Sequence, residues 1–327
     1  MNDTSQNFDP FEQMTFTYDK CFLCGNELTS DNYSVEHIFP KWLQNKFDLW
    51  NQELILLNGT GIKYRNLTIP CCKKCNNIMS KNIEKPVERA VEAGYDEFIK
   101  LDKKVVFQWL NKISYGMLFK ELSLKIDIRN PQSPTIYSEE YLKQHHMQYL
   151  FLRSVIDESV YYDKPYSLLI FRLRSEDNDN SYWAGDNPFI KTFCMKMNNI
   201  GIMAHLMDNG FQEDFFMEHP DMAELLGKEL HPIQFAELCA KFLYKSSLFY
   251  RNPFFILAFN KVGKLENIMP QPISGDAFSE WNQEEFAHCL ELYWKKWGLK
   301  FEDIYKGNDL VITYLRNEDG TFKDFYN

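Results

Sequence analysis

The sequence of 327 residues predicts an α+β fold in two parts, a smaller module over 1–95 and a larger region over 96–327. Three observations predict it. Five of the eight cysteines fall in the first 75 residues, so the N-terminal part has a framework of its own. Through 102–124 apolar residues recur every three or four positions, the period of a helix. From residue 166 onward come runs rich in Phe, Ile and Leu between polar turns, the pattern of strands.

The elements follow in order. A helix is predicted over 76–93, with Pro86 bending or dividing it. The helix over 102–124 is predicted to be amphipathic, its apolar stripe made of Val105, Val106, Trp109, Leu110, Ile113, Met117, Leu118 and Leu122. Arg129–Pro134, with two prolines, reads as a loop, and 138–156 as another helix. Residues 96–160 are thus a helical connector, and 161–327 mix strands and helices. Strands are predicted at 166–174, 189–197, 200–207, 254–259 and 309–315, helices at 221–229, 232–248 and 282–297, and a turn at Glu318-Asp319-Gly320. The region contains no repeat, no phosphate loop and no helicase-type motif.

Composition narrows the class. At 45% apolar and 25% charged residues, the chain is neither collagenous, disordered nor a disulfide-packed miniprotein. Its longest apolar runs, such as Phe254–Phe259, fall far short of the roughly 20 residues a membrane helix needs. Met1–Pro10 has no basic start and no apolar stretch, unlike a signal peptide. The expectation is a cytoplasmic protein with reduced thiols and no membrane partner. A net charge of −10 argues against nonspecific binding of nucleic acid over the whole surface. The charge is uneven, however: 60–90 holds seven basic residues and two acidic ones.

Cys21-x-x-Cys24 and Cys72-x-x-Cys75 form two knuckles. A two-residue spacer lets both sulfurs of a turn reach one tetrahedral metal, so the four thiols match a structural zinc site. The knuckles are 47 residues apart, and closing so long a loop costs little more entropy than closing a short one. The gap can therefore hold a functional element clamped at both ends. Cys71 is a spare that could replace Cys72 only with a less common spacer. Cys194, Cys239 and Cys289 read as ordinary buried thiols. Adjacent His145 and His146 point to different sides of a helix and cannot easily share a metal.

Between the knuckles lies Val35-Glu36-His37-Ile38-Phe39-Pro40, and later Arg65-Asn66-Leu67-Thr68-Ile69-Pro70, running into Cys72-Lys73-Lys74-Cys75-Asn76-Asn77 and Lys81. In this order the segment 18–85 resembles the HNH endonuclease family, the ββα-metal or His-Me finger nucleases, many of which carry a four-cysteine zinc clamp. The resemblance implies a zinc-bound ββα-metal module followed by an unrelated helical and α+β region. It places His37 at the general base, Glu36 at the acidic metal ligand and Asn76 at the second metal ligand, with Asn77 as fallback. Asn66 falls at the middle Asn that holds the catalytic loop, with Asn58 as rival. Lys74 and Lys81 are placed to contact phosphate. The acid is Glu where Asp is commoner, and the last position is Asn where His is commoner, a change that suits a hard cation.

The chemistry agrees with these residue types. A neutral imidazole can take a proton from water near pH 7. Mg²⁺ or Mn²⁺ prefers carboxylate and amide oxygens to thiolates, so the Glu–Asn pair and the cysteines should bind different metals. The resemblance implies Mg²⁺-dependent hydrolysis of DNA, with RNA the other polymer admitted, and a role in bacterial restriction or antiphage defence. Residues 96–327 would then provide targeting, or the docking site for a regulatory protein or small-molecule activator. Two other readings stay open: a catalytically idle zinc-binding adaptor for nucleic acid or protein, and redox-active cysteines with an incidental Glu-His pair.

Overall fold

The computed structural model describes residues 18–122, 124–136, 141, 144–157, 160–174, 181–251, 253–271 and 275–325. It is mixed α and β. The chain divides into two compact units: Met1–Asp163 with Phe255–Pro270, and Lys164–Phe254 with Gln271–Asn327. The division expected after residue 95 moves to 163, because the long helix that follows is packed into the first unit. Among the described residues no helix is long and apolar enough to cross a membrane.

In the first unit, strand β1 (Tyr33–His37) pairs antiparallel with a strand near the second knuckle, Thr68–Cys72, so that His37 lies opposite Thr68. Between them come helix α1 (Lys41–Lys46) and a small hairpin, β2 (Glu53–Ile55) with β3 (Gly61–Lys63). Thr68–Cys72 is therefore β4. It runs directly into helix α2 (Lys73–Met79), whose first turn is capped by Cys72. The helix continues through a wide π turn, Ser80–Glu84, into α3 (Lys85–Ala93), and Gly94, at φ +91°, lets the chain leave it. Pro86 was expected to bend or divide this helix. A proline ring collides with the carbonyl four residues earlier, and the wide turn just before Pro86 removes that collision without breaking the helix.

After the short helix α4 (Tyr95–Phe98) comes α5 (Lys103–Leu122). It was expected to be amphipathic, yet 16 of its 20 residues are buried. Its polar side chains find partners inside the unit. Asn111 donates to the Gln148 carbonyl of α6 (His146–Arg153) at 2.9 Å, and Gln108 donates to Ser154 and Tyr162 hydroxyls at 3.2 and 3.0 Å. A helix buried all round loses its stripe, because each polar group bonded internally can face the core. Gly116 lets α5 press against the strand pair: a Cβ there would stand 3.2 Å from Ile38 and 3.4 Å from Ile69. The helix expected over 138–156 is seen as α6; residues 138–140 and 142–143 lie outside the described residues, as does Met1–Pro10. Strand β5 (Tyr161–Tyr162) pairs parallel with Leu265–Pro270, the second strand of the hairpin Phe255–Phe259/Leu265–Pro270.

The second unit is built on a five-stranded sheet of β6 (Ser167–Leu173), β7 (Tyr182–Asn187), β8 (Thr192–Met197), β9 (Ile200–His205) and β10 (Glu229–Leu230), in the order β10-β6-β9-β8-β7. Helix Pro232–Ser247 lies on one face, where Leu169, Phe171, Cys194 and Met203 of the sheet meet its Phe235, Leu238, Cys239 and Phe242. Helix Gln283–Trp294 packs in turn on that helix through Phe286, Ala287, Leu290 and Trp294. Capping explains both starts: the His231 ring accepts from the Ile233 N–H at 3.1 Å, and Asn282 accepts from the Glu284 and Glu285 N–H groups at 2.9 and 3.0 Å.

Three predicted elements change. The strand expected at 309–315 is irregular chain, since side chains of helix Pro232–Ser247 satisfy its backbone: Tyr314 N–H donates to Glu237 Oε2 at 2.7 Å, and Gln234 donates to the Tyr314 carbonyl at 2.9 Å. The helix expected at 221–229 is a single turn, Pro220–Ala223, followed by a 3₁₀ turn ending at Gly227. The strand expected from 189 starts at Thr192, because Asn187 Oδ1 accepts from the Phe189 and Ile190 N–H groups at 3.1 and 3.4 Å and forms a turn. Strand β7 and helix Phe211–Glu218 were not predicted at all.

One glycine of the sheet is tested readily. A Cβ on Gly201 would lie 2.7 Å from the Phe235 ring. Gly201→Ala should destabilise the unit by about 1–3 kcal/mol through overpacking, seen as a lower midpoint of thermal unfolding. An unchanged midpoint would mean that Phe235 can swing clear.

Candidate metal centre and adjoining cleft

The two knuckles meet. Gly25 at φ +74° turns the chain after Cys24, and the Gly25 N–H returns to the Cys21 carbonyl at 2.9 Å. The Phe22 N–H donates to the Pro70 carbonyl at 2.9 Å, seating the first knuckle on β4. The Tyr149 hydroxyl donates to the Leu23 carbonyl at 2.8 Å. In the second knuckle, Cys72 Sγ accepts the Cys75 N–H at 3.4 Å.

As a result the sulfurs of Cys21, Cys24, Cys72 and Cys75 all lie within 4.8 Å of one another. Tetrahedral zinc with bonds of about 2.3 Å sets sulfur–sulfur separations of about 3.8 Å. Cys24 Sγ and Cys72 Sγ are 3.8 Å apart. Cys71 Sγ is 4.0 Å from Cys21 Sγ, but its thiol donates to the Cys72 carbonyl at 3.4 Å and it stands outside the four. Hydrogen bonds with Cys24, Cys71 and Cys75 hold Cys21 far below the usual thiol range. The hydrogen bond with Cys21 in turn pushes Cys24 up to about 12 and raises Cys75. Four cysteine sulfurs so close together make a donor set that a soft or borderline metal such as zinc fits.

Directly beside the cluster, β1 and the helix that begins at Lys73 border a cleft of about 400 Å³. Glu36 and His37 reach it from β1, and Asn76, Ser80, Glu84 and Glu88 reach it from the helix at four-residue intervals. Pro40, Lys41 and Trp42 close another side. Asn76 is tied to β1 by its amide, which donates to the Val35 carbonyl at 3.3 Å, so its carbonyl oxygen is the atom suited to a cation.

The charge at the base of this cleft is unusual. Lys112 of α5, with a fully buried side chain, forms ion pairs with Glu36 and with Glu84, the latter at 2.8 Å. Its ammonium also donates to the carbonyls of His37 at 2.6 Å and Ile38 at 3.1 Å. Burial works against the Lys112 charge, but the two carboxylates outweigh it and hold its pKa above the usual lysine value. Burial lifts Glu36 to about 7 against the pull of Lys112. A carboxylate that is costly to keep charged gains most from any further cation beside it.

His37 is half buried, and its ring stacks near Trp50 with centroids 5.9 Å apart. Burial above all, then the charges of Lys41 and Lys112, pull its pKa down to about 4. Its imidazole is therefore neutral at pH 7, the form that accepts a proton.

Of the residues singled out in the sequence, Glu36, His37 and Asn76 converge on this cleft. Asn66 does not: it is exposed at the end of a 3₁₀ turn, Tyr64–Asn66, and the turn explains its residue type. Its rival Asn58 sits in the β2/β3 turn, accepting from the Thr60 N–H at 3.0 Å and donating to the Lys125 carbonyl at 2.7 Å. Asn77, Lys74 and Lys81 are exposed and are not among the residues that line the cleft. The lysines that line it are Lys41 and Lys85, which sequence reading missed, along with Glu84, Glu88 and Lys112. The four-residue spacing from Asn76 to Glu84 and Glu88 was a usable signal for the two acids. No family model, curated protein or solved structure matches the chain.

Two outcomes are expected. Purified protein should contain zinc by atomic emission; Cys75→Ser should lose it, whereas Cys71→Ser should keep it, and loss in both would enlarge the ligand set. Without added divalent ion, the Cε1–H resonance of His37 should titrate near pH 4 instead of 6.5. A depressed folded pKa means that the unfolded chain binds this proton first, so acidification from about 6.5 to about 4 removes stability. A midpoint near 6.5 would show the ring to be solvated.

Proposed function

We propose that the chain is a metal-dependent endonuclease of the HNH type, hydrolysing DNA phosphodiester bonds at the cleft between β1 and the helix from Lys73. The observation that carries this reading is the convergence of Glu36, His37 and Asn76 on one cleft beside a four-thiol cluster. Zinc at the cysteines serves structure, closing the loop that bears Glu36 and His37. His37, neutral at pH 7, takes the proton of the attacking water. The Asn76 carbonyl and the Glu36 carboxylate, with Glu84 and Glu88 on the same cleft, are oxygen donors of the kind that hold Mg²⁺ or Mn²⁺. Such an ion supplies charge neutralisation at the phosphate and at the leaving oxygen. Lys41 and Lys85 offer positive charge to the flanking backbone. The second unit provides targeting or control, in a setting such as bacterial restriction or antiphage defence, and RNA is the other substrate to be tried.

One observation favours a second reading. Glu36 is engaged by Lys112, which suits a zinc-binding adaptor whose chemistry is idle. The experiment separates the two. Supercoiled plasmid should be nicked or cut with Mg²⁺ or Mn²⁺, and His37→Ala should lower the rate by about a hundredfold or more, as should Asn76→Ala, with DNA retention in a gel-shift assay unchanged. Cutting by His37→Ala at the wild-type rate rejects the base. Retention of DNA without cutting under any divalent ion favours the adaptor.

A further inference from the structure

Lys112 sits in a shell of oxygens. Its ammonium meets one carboxylate oxygen of Glu36 and one of Glu84, the latter at 2.8 Å, and the carbonyl oxygens of His37 and Ile38 at 2.6 and 3.1 Å. An ammonium has three N–H donors, so four oxygens are more than its hydrogen bonds require. Two carboxylates together with two main-chain carbonyls are instead the donor set of a hard divalent cation.

Local structure explains how a lysine comes to fill this shell. Gly116, one turn after Lys112 on α5, lets the helix approach Ile38, which a Cβ there would meet at 3.2 Å. Lys112, on the same side of the helix, then reaches the end of β1. On the other wall, the wide turn Ser80–Glu84 holds more residues than an α-helical turn, which keeps Glu84 in line with Asn76, Ser80 and Glu88 along the cleft. Glu36 and Glu84 each give Oε1 to the ammonium, so Oε2 is the oxygen that each has left for the cleft it lines. Stability alone does not call for such a triad, because apolar side chains of similar volume serve as well or better.

We infer that Lys112 is a tethered cation held in a divalent-metal shell, and through that shell the positioning residue of the endonuclease site proposed above. Its role in the reaction rests on that reading; its chemistry rests on the four oxygens. The ammonium aims the Glu36 carboxylate and fixes the main chain that carries the His37 ring, before any divalent ion arrives. It also keeps the shell from a free ion, so that an exchangeable ion is left to the outward oxygens of the cleft. Lys112 is fully buried behind the cleft lining and acts only through these groups.

The test uses the full chain with two substitutions: Lys112→Ala opens the shell, and Lys112→Met fills it without charge. Lys112→Ala with Glu84→Gln leaves a single carboxylate to be balanced, should the single variant fold poorly. Circular dichroism verifies the fold of each, and bound Mn²⁺ is counted by electron paramagnetic resonance. Both Ala variants should bind one Mn²⁺ more per chain than the wild type, about tenfold more weakly with Glu84→Gln, and Lys112→Met should bind no more than the wild type. An unchanged count in both Ala variants, or the same gain in Lys112→Met, overturns the shell. Where the wild type cuts plasmid, Lys112→Ala and Lys112→Met should lower kcat about tenfold or more with KM for plasmid unchanged, and added Mn²⁺ should restore Lys112→Ala alone. Wild-type kcat in Lys112→Met overturns the positioning role. A wild type that cuts nothing under any divalent ion sinks the endonuclease reading, while the Mn²⁺ count still judges the shell.

Discussion

Four sulfur atoms within 4.8 Å of one another decide where the N-terminal part of this protein can be. They join a turn near residue 21 to the junction of a strand and a helix near residue 72. Everything between becomes a closed loop whose two ends are fixed. Loop closure alone is weakly dependent on length, so the long insert is tolerated. What goes with the closure is register: Tyr33 opposite Cys72 carries His37 to Thr68, sets the Val35 carbonyl beside Asn76 of the helix, and turns Glu36 and His37 to the cleft that the helix borders. A shift by one residue would turn each side chain to the other face.

A second constraint is electrostatic. Glu36 and Glu84 would be unfavourable neighbours in a buried place, and Lys112 answers both while also holding the carbonyls at the end of β1. A buried ion network of this kind contributes little net stability compared with well-packed apolar groups, but removing one member leaves uncompensated charge. Its effect is to pin the strand end, the helix and α5 together by directed bonds. Two of the cleft's acids, Glu36 and Glu84, are thus arranged around one fixed ammonium.

The legible parts of the sequence were those whose partners lie close along the chain. Each CxxC pair declares itself, Asn76 directly follows the second pair, and Glu36-His37 lie between the two pairs. Strand periodicity was enough for β6, β9 and the hairpin strand Phe255–Phe259. Lys112 was not legible, because a lysine among apolar helix residues reads as the polar side of a stripe; only the acids from two other elements give it a reason to be buried. Asn66 shows the converse, since an Asn in a turn needs no chemistry. The tail at 309–315 has strand-forming residues, yet Glu237 and Gln234 claim its backbone, a competition no local pattern reveals. Strand β7, with Ala, Gly, Asp and Asn in it, has little strand propensity of its own and is held by pairing with β8.

The ammonium of Lys112 also fixes what counts as the smallest self-sufficient piece. An excised fragment ending near residue 95 would keep the four clustered cysteines and every cleft-lining residue of β1 and α2, yet it would strand Glu36 without its counter-ion and strip the apolar cover of α5 from Ile38 and Ile69. The unit to carry into crystals or solution work is the stretch through Asp163 together with the hairpin at 255–270, a compact body assembled from two separated lengths of chain.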